Sequence, residues 1–436
     1  MIESIEVKNF KGYEGINGFD LNGITIVSGT NNSGKSSLLQ AIYLITQNKT
    51  INCPILALDE EIGLGGFSDI LNKNISNRDT IEISFSIDDD LLETSAFEYL
   101  HARLTYRNAH LYEKLEVFDL GDDPVLDQVS IEYQIGNGDV STLTFQLMDK
   151  PSIYIYAVSG ESDNGFCYLN GMVPEPIVYQ DEQLKVKNVC SDTLDQIRMI
   201  LNQVNKSNIH YIKAFRMNDF TEKNLSNHRN IGVSGEYTAE IIELKWNQNM
   251  DFFNDEGVQY KFSVLFDEWV RNLLGPEYKI RSKVLDKGKF KVIVEEITSG
   301  LELNLSQVGF GISQILPILT MILTSKKNDM IIIENPEVHL HPKLQALFID
   351  LCVFALKHKR KLVIETHSEH IINRIRLNIK LNPSLLEKVN ILFFEKKQGN
   401  IEHLDIEIHE DGKIEYWPEG FFDQSYHDLL GLIENE

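Results

Sequence analysis

The chain has 436 residues, and its 65 acidic against 41 basic side chains leave a formal charge of −24. Hydrophobic residues make up 42% and charged residues 24%, a balance that excludes wholesale disorder, a collagen-like fibre and a membrane channel. So acidic a chain does not grip nucleic acid with its whole surface, because phosphate binding needs clustered Lys and Arg; a local basic patch is left open.

The first segment alternates at Ile5 and Val7 and reads as a strand. Met1-Ile2-Glu3-Ser4 runs straight into it, so no signal peptide is expected. A second strand, residues 23–27, leads into Gly29-Thr30-Asn31-Asn32-Ser33-Gly34-Lys35-Ser36, which fits G-x-x-x-x-G-K-[ST], and residues 36–46 read as a helix. Strand, glycine loop and helix together form a phosphate cradle. Backbone N–H groups from Asn31, Asn32, Ser33, Gly34, Lys35, Ser36 and Ser37 are expected to converge on phosphate oxygens at the positive end of the helix. Lys35 is expected to reach the β- and γ-phosphates of ATP, and the Ser36 hydroxyl to ligate Mg2+.

The next part is rich in strands. Ile81, Ile83, Phe85 and Ile87 alternate in steps of two, and similar runs lie at 129–135, 143–147 and 153–158. From Ser191 the period becomes helical, with Leu194, Ile197, Leu201 and Val204 on one face and Ser191 or Asp192 as cap. Residues 236–246 and 260–274 read as further helices.

Small residues at Ser306, Gly309 and Gly311 lead into an apolar helix over 312–323, a helix start suited to an anion. Pro317 falls early in that helix and is tolerated best if the helix begins later. The greasy run is too short to span a bilayer. After it, strand and helix alternate: 330–334, 343–357, 362–366, 370–379 and 389–395, the pattern of a mostly parallel sheet covered by helices. The strand at 330–334 ends in Glu334, an acid delivered beside the phosphate loop to serve Mg2+, and the strand at 362–366 ends beside His367, which can point at a γ-phosphate.

Four segments together resemble the ABC-class P-loop ATPases of the RecF, SMC and OLD group: Val7-Lys8-Asn9-Phe10-Lys11, Gly29 to Ser36, the run Ile333-Glu334-Asn335-Pro336-Glu337-Val338-His339-Leu340-His341-Pro342, and Glu365-Thr366-His367-Ser368. A narrower similarity, to stand-alone ATPases of bacterial anti-phage defence, rests on Val308 to Pro317 and on Trp417 to Asp423; Tyr211 to Arg216 and Gly232 to Glu236 look like a weaker shared motif. The resemblance implies a head-to-tail dimer or higher oligomer, with Ser306 and Gly309 meeting the γ-phosphate in trans, His367 as the switch histidine, and Glu334 holding Mg2+ with Ser36. It departs at one position. The group commonly places Glu directly after the acid that ends the strand, whereas this chain has Asn335, an amide that orients water without accepting its proton. Glu337 is the nearest spare carboxylate, or serves the turn. Slow hydrolysis, or ATP used as a clamp, is the expectation.

Other signals are weaker. The four cysteines suit reduced, buried thiols in a cytoplasmic protein. Glu395 with Asp405 and Glu407 resembles faintly the start of a metal-dependent nuclease domain, but an edge strand and terminal hairpin are expected instead. His339 and His341 lie two apart without a convincing ligand set. The basic run 357–361 reads as a solvated turn, while Arg374, Arg376 and Lys380 leave DNA contact open.

The expected fold is α/β, a P-loop ABC-type ATPase head. Residues 1–79 and 301–436 form its two parts, 80–190 a strand-rich insertion and 191–300 a helical and mixed subdomain. The expected function is a slow ATPase acting as a nucleotide-gated clamp or sensor. Its partners would be itself and a separate effector such as a nuclease or toxin, with no membrane. The alternatives are a RecF-like DNA repair ATPase and a hydrolysis-poor scaffold.

Overall fold

A computed structural model describes residues 2–47, 55–56, 62–75, 80–93, 95–111, 121–148, 154–160, 164–177, 191–206, 208–216, 230–285, 289–397 and 400–422. In chain order the elements begin with β1 (Ile2–Lys8), β2 (Ile16–Asp20), β3 (Ile24–Gly29), α1 (Lys35–Leu44), α2 (Phe67–Ile70), β4 (Ile81–Ile87), α3 (Asp89–Leu92), β5 (Phe97–Asn108) and β6 (Pro124–Ile135). There follow β7 (Ser141–Leu147), β8 (Tyr156–Ser159), β9 (Gly165–Asn170), β10 (Val173–Glu175), α4 (Asp192–Lys206), β11 (Ile209–Ile212), α5 (Thr238–Lys245), β12 (Asn249–Phe253), β13 (Gln259–Lys261) and α6 (Phe262–Leu274). The last are β14 (Tyr278–Leu285), β15 (Lys289–Glu296), β16 (Leu301–Asn304), α7 (Phe310–Thr324), β17 (Met330–Glu334), α8 (Pro342–Lys357), β18 (Lys361–Glu365), α9 (Glu369–Leu381), β19 (Val389–Lys397) and β20 (Asn400–Asp405).

These elements form two compact units, each discontinuous in sequence: residues 1–21, 36–208 and 397–401 in the first, and 22–35, 209–396 and 402–436 in the second. The units cut across the segments expected from sequence. In the first, one nine-stranded sheet runs in the order β10-β9-β8-β7-β6-β5-β4-β1-β2. Its neighbours are antiparallel, and β1 pairs with β4 so that Ile5 faces Phe85 and Val7 faces Ile83. The strands of 80–190 therefore continue a sheet that β1 and β2 begin; they do not make a body apart from residues 1–79. The alternation read from sequence supplies the reason, since Ile5, Val7, Ile83 and Phe85 are all buried and bury best on one shared face. In α4 the expected face of Leu194, Ile197, Leu201 and Val204 is buried. Ser191, rather than Asp192, caps it: its Oγ accepts the Leu194 N–H at 3.1 Å.

The second unit is built on a six-stranded sheet in the order β11-β17-β18-β3-β19-β20. From β11 to β19 the neighbours are parallel, as the alternation of strands and helices predicts. In β17 the residues Met330 to Ile333 are buried on both faces, the signature of a central parallel strand. A hairpin of β12 and β13 and a three-stranded sheet of β14, β15 and β16 complete the unit. Among its aromatic side chains Trp246 stacks under the Arg281 guanidinium at 4.4 Å, which is also held bidentately by Asp267.

Two expectations about this unit need correction. The helix carrying Pro317 begins earlier than residue 312, not later, so Pro317 lies inside it. Proline has no N–H to donate within the helix, and it packs on Gly235, whose backbone comes so close that a Cβ there would lie 2.6 Å from the Pro317 Cβ. The strand at 389–397 is not an edge: β19 lies between β3 and β20, since its Ile391 to Phe394 run is buried and an edge would expose it. No helix among the described residues is long and apolar enough to cross a membrane.

Candidate functional site

The loop after β3 is curled by three left-handed positions, Gly29 (φ 139°), Asn32 (φ 61°) and Gly34 (φ 95°). Gly29 is required twice over: a Cβ there would lie 2.0 Å from the Phe394 carbonyl oxygen of β19, and its backbone conformation strains any other residue. The curl is closed locally. Ser33 Oγ donates to the Thr30 carbonyl at 2.8 Å, and the Thr30 N–H donates to the Phe394 carbonyl at 3.0 Å. The Lys35 ammonium folds back on the loop, donating to the carbonyls of Gly29 at 3.1 Å and Thr30 at 2.6 Å. Burial lowers its pKa below the ordinary lysine value, an effect the Glu365 carboxylate partly offsets. Asn31, Asn32, Ser33 and Gly34 thus lie on one short loop that ends in a helix start, with Ser36 and Ser37 in its first turn.

Because β17, β18 and β3 are parallel neighbours, their C-terminal ends share one edge, the place where open α/β sheets bind ligands. The register sets Glu334 beside Glu365 and Glu365 beside Val27. The Thr366 N–H donates to the Val27 carbonyl at 3.0 Å, tying the end of β18 to the strand that feeds the loop. Glu365 is buried and acts electrostatically on Lys35. Its sequence neighbours give no sign of this role, because only the sheet register brings it beside the lysine.

Glu334 is held from β11 and the turn after it. The Tyr211 hydroxyl donates to its Oε1, and the Ala214 N–H donates to its Oε2 at 3.0 Å. Arg216, 1% exposed, donates from one nitrogen to the carbonyls of Glu334 at 2.5 Å and Asn335 at 3.2 Å. This explains the Tyr211 to Arg216 similarity, to which sequence alone attached no role.

Asn335 adopts a left-handed conformation, φ 40°, which Asn tolerates better than most residues. Its N–H donates to the Glu365 carbonyl at 2.8 Å, and its side-chain oxygen is buried with no hydrogen-bond partner among the described residues. Glu337 is engaged at the turn. Its Oε2 accepts the Thr366 hydroxyl at 2.8 Å and its Oε1 the His367 N–H at 2.7 Å. The His367 ring has its pKa lowered below the ordinary value by desolvation first and by the Lys35 charge second, against the opposing pull of Glu337. The following Ser368 caps α9 with its Oγ and donates to Gln345 at 2.5 Å.

The segment before α7 stands apart from this cluster in one respect. The Ser306 side chain lies outside the described residues. Gly309 is the exposed N-cap of α7, with ordinary extended dihedrals and no atom within 4 Å of where a Cβ would be. Gly311 backs onto the turn after β17, its Cβ position 3.2 Å from the His339 carbonyl oxygen. The helix start is therefore open at Gly309 and packed at Gly311.

Several weaker sequence signals acquire local explanations. Arg360 is not a solvated turn residue: it is buried against Phe252, 3.8 Å from the ring centroid, and donates to the carbonyls of Ser325 and Asp251. Arg374 is paired with Asp350, and Arg376 donates to the Gly412 carbonyl and lies over Trp417, so two of the cations that left DNA contact open are occupied inside the unit. His341 caps α8, accepting from the Lys343 N–H at 3.3 Å. Among the described residues no group of three or more His, Cys, Asp or Glu side chains could hold a metal ion, and this includes Glu395, Asp405 and Glu407. Cys167 and Cys352 are free and buried; Cys53 and Cys190, like Asp423, lie outside the described residues.

A protein-family model described as an AAA ATPase domain matches residues 1–166 and 175–372. A second, described as a protein of unknown function, matches 386–432. No curated protein matches the chain. Among solved structures the chain is similar to an SMC head bound to the C-winged helix domain of ScpA, at 13% identity and TM-score 0.48, covering 94% of this chain and 98% of that one. The SMC head domain from Thermotoga maritima gives 10% identity and TM-score 0.39 over 93% and 99%. An SMC head domain with an extended coiled coil, bound to the C-terminal domain of ScpA derived from Pyrococcus furiosus, gives 11% identity and TM-score 0.42 over 99% of both chains.

Proposed function

From the premise that this chain belongs to the AAA ATPase domain family, we propose that it binds ATP with Mg2+ and hydrolyses it slowly, working as one ABC-type head of a head-to-tail dimer or higher oligomer. The observation that carries this reading is the assembly at one sheet edge: the Lys35 loop after β3, Glu334 at the end of β17, and Glu365 with His367 at the end of β18. The Lys35 ammonium, held now by two carbonyls of its own loop, exchanges them for phosphate oxygens, charged acceptors that bind it more strongly. Glu334 and, by its place in the loop motif, Ser36 offer the oxygen donors that Mg2+, a hard cation, prefers. Each Glu334 oxygen accepts one hydrogen bond and keeps further lone-pair capacity for a metal. When bound, the metal would neutralise charge building on the phosphates.

Slow turnover follows from the residues around that acid. Asn335 orients water without taking its proton, and Glu337, the nearest other carboxylate, is tied to the turn by the Thr366 hydroxyl and the His367 N–H. His367, its pKa lowered, is neutral at physiological pH and suited to accept or donate one hydrogen bond near a γ-phosphate. The open helix start at Gly309 suits a γ-phosphate brought by a second copy, and the family resemblance gives Ser306 the same role.

A nucleotide cycle without a strong base in the site fits a clamp or sensor better than a motor, and the likeness of residues 308–317 to anti-phage ATPases supports the reading that it controls a separate effector. Phosphate release by wild type and Lys35→Ala tests the enzymatic reading: turnover in wild type alone supports it, and equal rates with retained ATP binding would leave a nucleotide-gated scaffold. Purification from the native host with ATP present tests the partner reading, which fails if no effector protein is retained.

A further inference from the structure

One short segment, β11 and the turn that follows it, places donors on a single pair of consecutive residues 118 to 123 positions away. The Tyr211 hydroxyl and the Ala214 N–H each take one oxygen of the Glu334 carboxylate. Arg216 takes the two successive backbone carbonyls, Glu334 and Asn335, with the same nitrogen. In a pleated strand successive carbonyls point to opposite sides. They point the same way here because Asn335 turns left-handed at φ 40°, so the bond pair on Arg216 is a lock on that turn.

Packing alone does not account for an arginine at this position. It is 1% exposed, and its Nε and Nη1 have no hydrogen-bond partner among the described residues. An unmet buried donor is costly, and a Met of similar volume would fill the space without that cost. The Glu334 and Glu337 carboxylates both act on its charge, so the guanidinium also counters the negative charge gathered at the end of β17.

We propose that Tyr211 and Arg216 are positioning residues for Glu334. Tyr211 fixes the direction of the carboxylate and Arg216 fixes the left-handed turn behind it, so that the acid is presented ready-oriented to Mg2+. This rests on the nucleotide reading above. Supporting groups behind a metal-binding carboxylate are worth about 10–100-fold in metal affinity.

The test is a Mg2+ titration of wild type, Tyr211→Phe and Arg216→Lys with a fluorescent ATP analogue as probe, reading nucleotide affinity with and without metal. Metal-free affinity is expected to stay near wild type in both variants, while the Mg2+ concentration for half-effect rises about 10–100-fold. Variants that keep the wild-type Mg2+ dependence overturn the proposal. So does an equal loss with and without metal, which would make the segment a general support of the loop. Tyr211→Phe removes one hydroxyl and decides the matter by itself where Arg216→Lys fails to fold. A wild type that binds no nucleotide is a failure of the ATPase reading, and it is seen before any variant is compared.

Discussion

Glu337 holds the backbone of His367 directly, its Oε1 accepting the His367 N–H at 2.7 Å while its Oε2 accepts the neighbouring Thr366 hydroxyl at 2.8 Å. Both oxygens act as acceptors; in the neutral amide only one end still accepts, and its NH2 end bonds Thr366 only if that hydroxyl turns to accept and gives up its own acceptor. Glu337→Gln is expected to lower stability by about 1–3 kcal/mol, read by denaturant unfolding. It should also lower turnover by displacing His367. A variant with wild-type stability and turnover would show that this contact does no positioning.

Asn335→Glu separates chemistry from folding. A carboxylate at this position supplies the base that the amide lacks, so phosphate release is expected to rise. The same substitution places a residue less tolerant of φ 40° in the left-handed region, at a cost of about 1–2 kcal/mol. Turnover up with melting temperature down is the expected pair of results. Turnover unchanged or reduced would show that Asn335 is not the brake.

Gly309→Asp distinguishes a phosphate site from a helix start. Aspartate is a favoured N-cap, and a negative charge suits the positive end of α7; the position has ordinary dihedrals and open space. The melting temperature is therefore expected to hold or rise. If a second copy brings a γ-phosphate to this point, ATP-dependent association should be lost, because like charges would meet. Association unaffected by the aspartate, measured by light scattering with and without ATP, would exclude Gly309 from that contact.

His367 carries a pH signature with a definite sign. Its folded-state pKa lies below the ordinary 6.5, so the unfolded chain binds more protons between the two values. The associated stability is complete above the ordinary value and is lost as pH falls through the folded one. An NMR titration of the ring should find a midpoint below 6.5, moving lower still in Glu337→Gln, which removes the charge that raises it. A midpoint at or above the ordinary value would contradict the stated balance of burial and Lys35.

The phosphate loop was legible from sequence because its determinants are local. Gly29, Asn32 and Gly34 permit the left-handed turns, Ser33 and Lys35 bond within six residues, and strand and helix signals flank them. The all-apolar Met330 to Ile333 announced a central parallel strand for the same reason, since burial on both faces needs no knowledge of the partner. Pro317 misled, because the contact that accommodates it comes from Gly235, 82 residues earlier by number, and no local pattern records that approach.

The amino-acid sequence by itself determined that this chain carries a phosphate loop, a strand-end acid and a strand-end histidine on an α/β scaffold, since short-range backbone geometry and hydrophobic periodicity set those features. Only the tertiary structure decided what each of them touches. Glu337 holds Thr366 and His367, Glu365 sits beside Lys35, and Tyr211 with Arg216 grips the acid at Glu334. The reason is physical: hydrogen-bond partners more than a hundred residues apart are chosen by strand order and register, which arise from burying all the apolar faces at once.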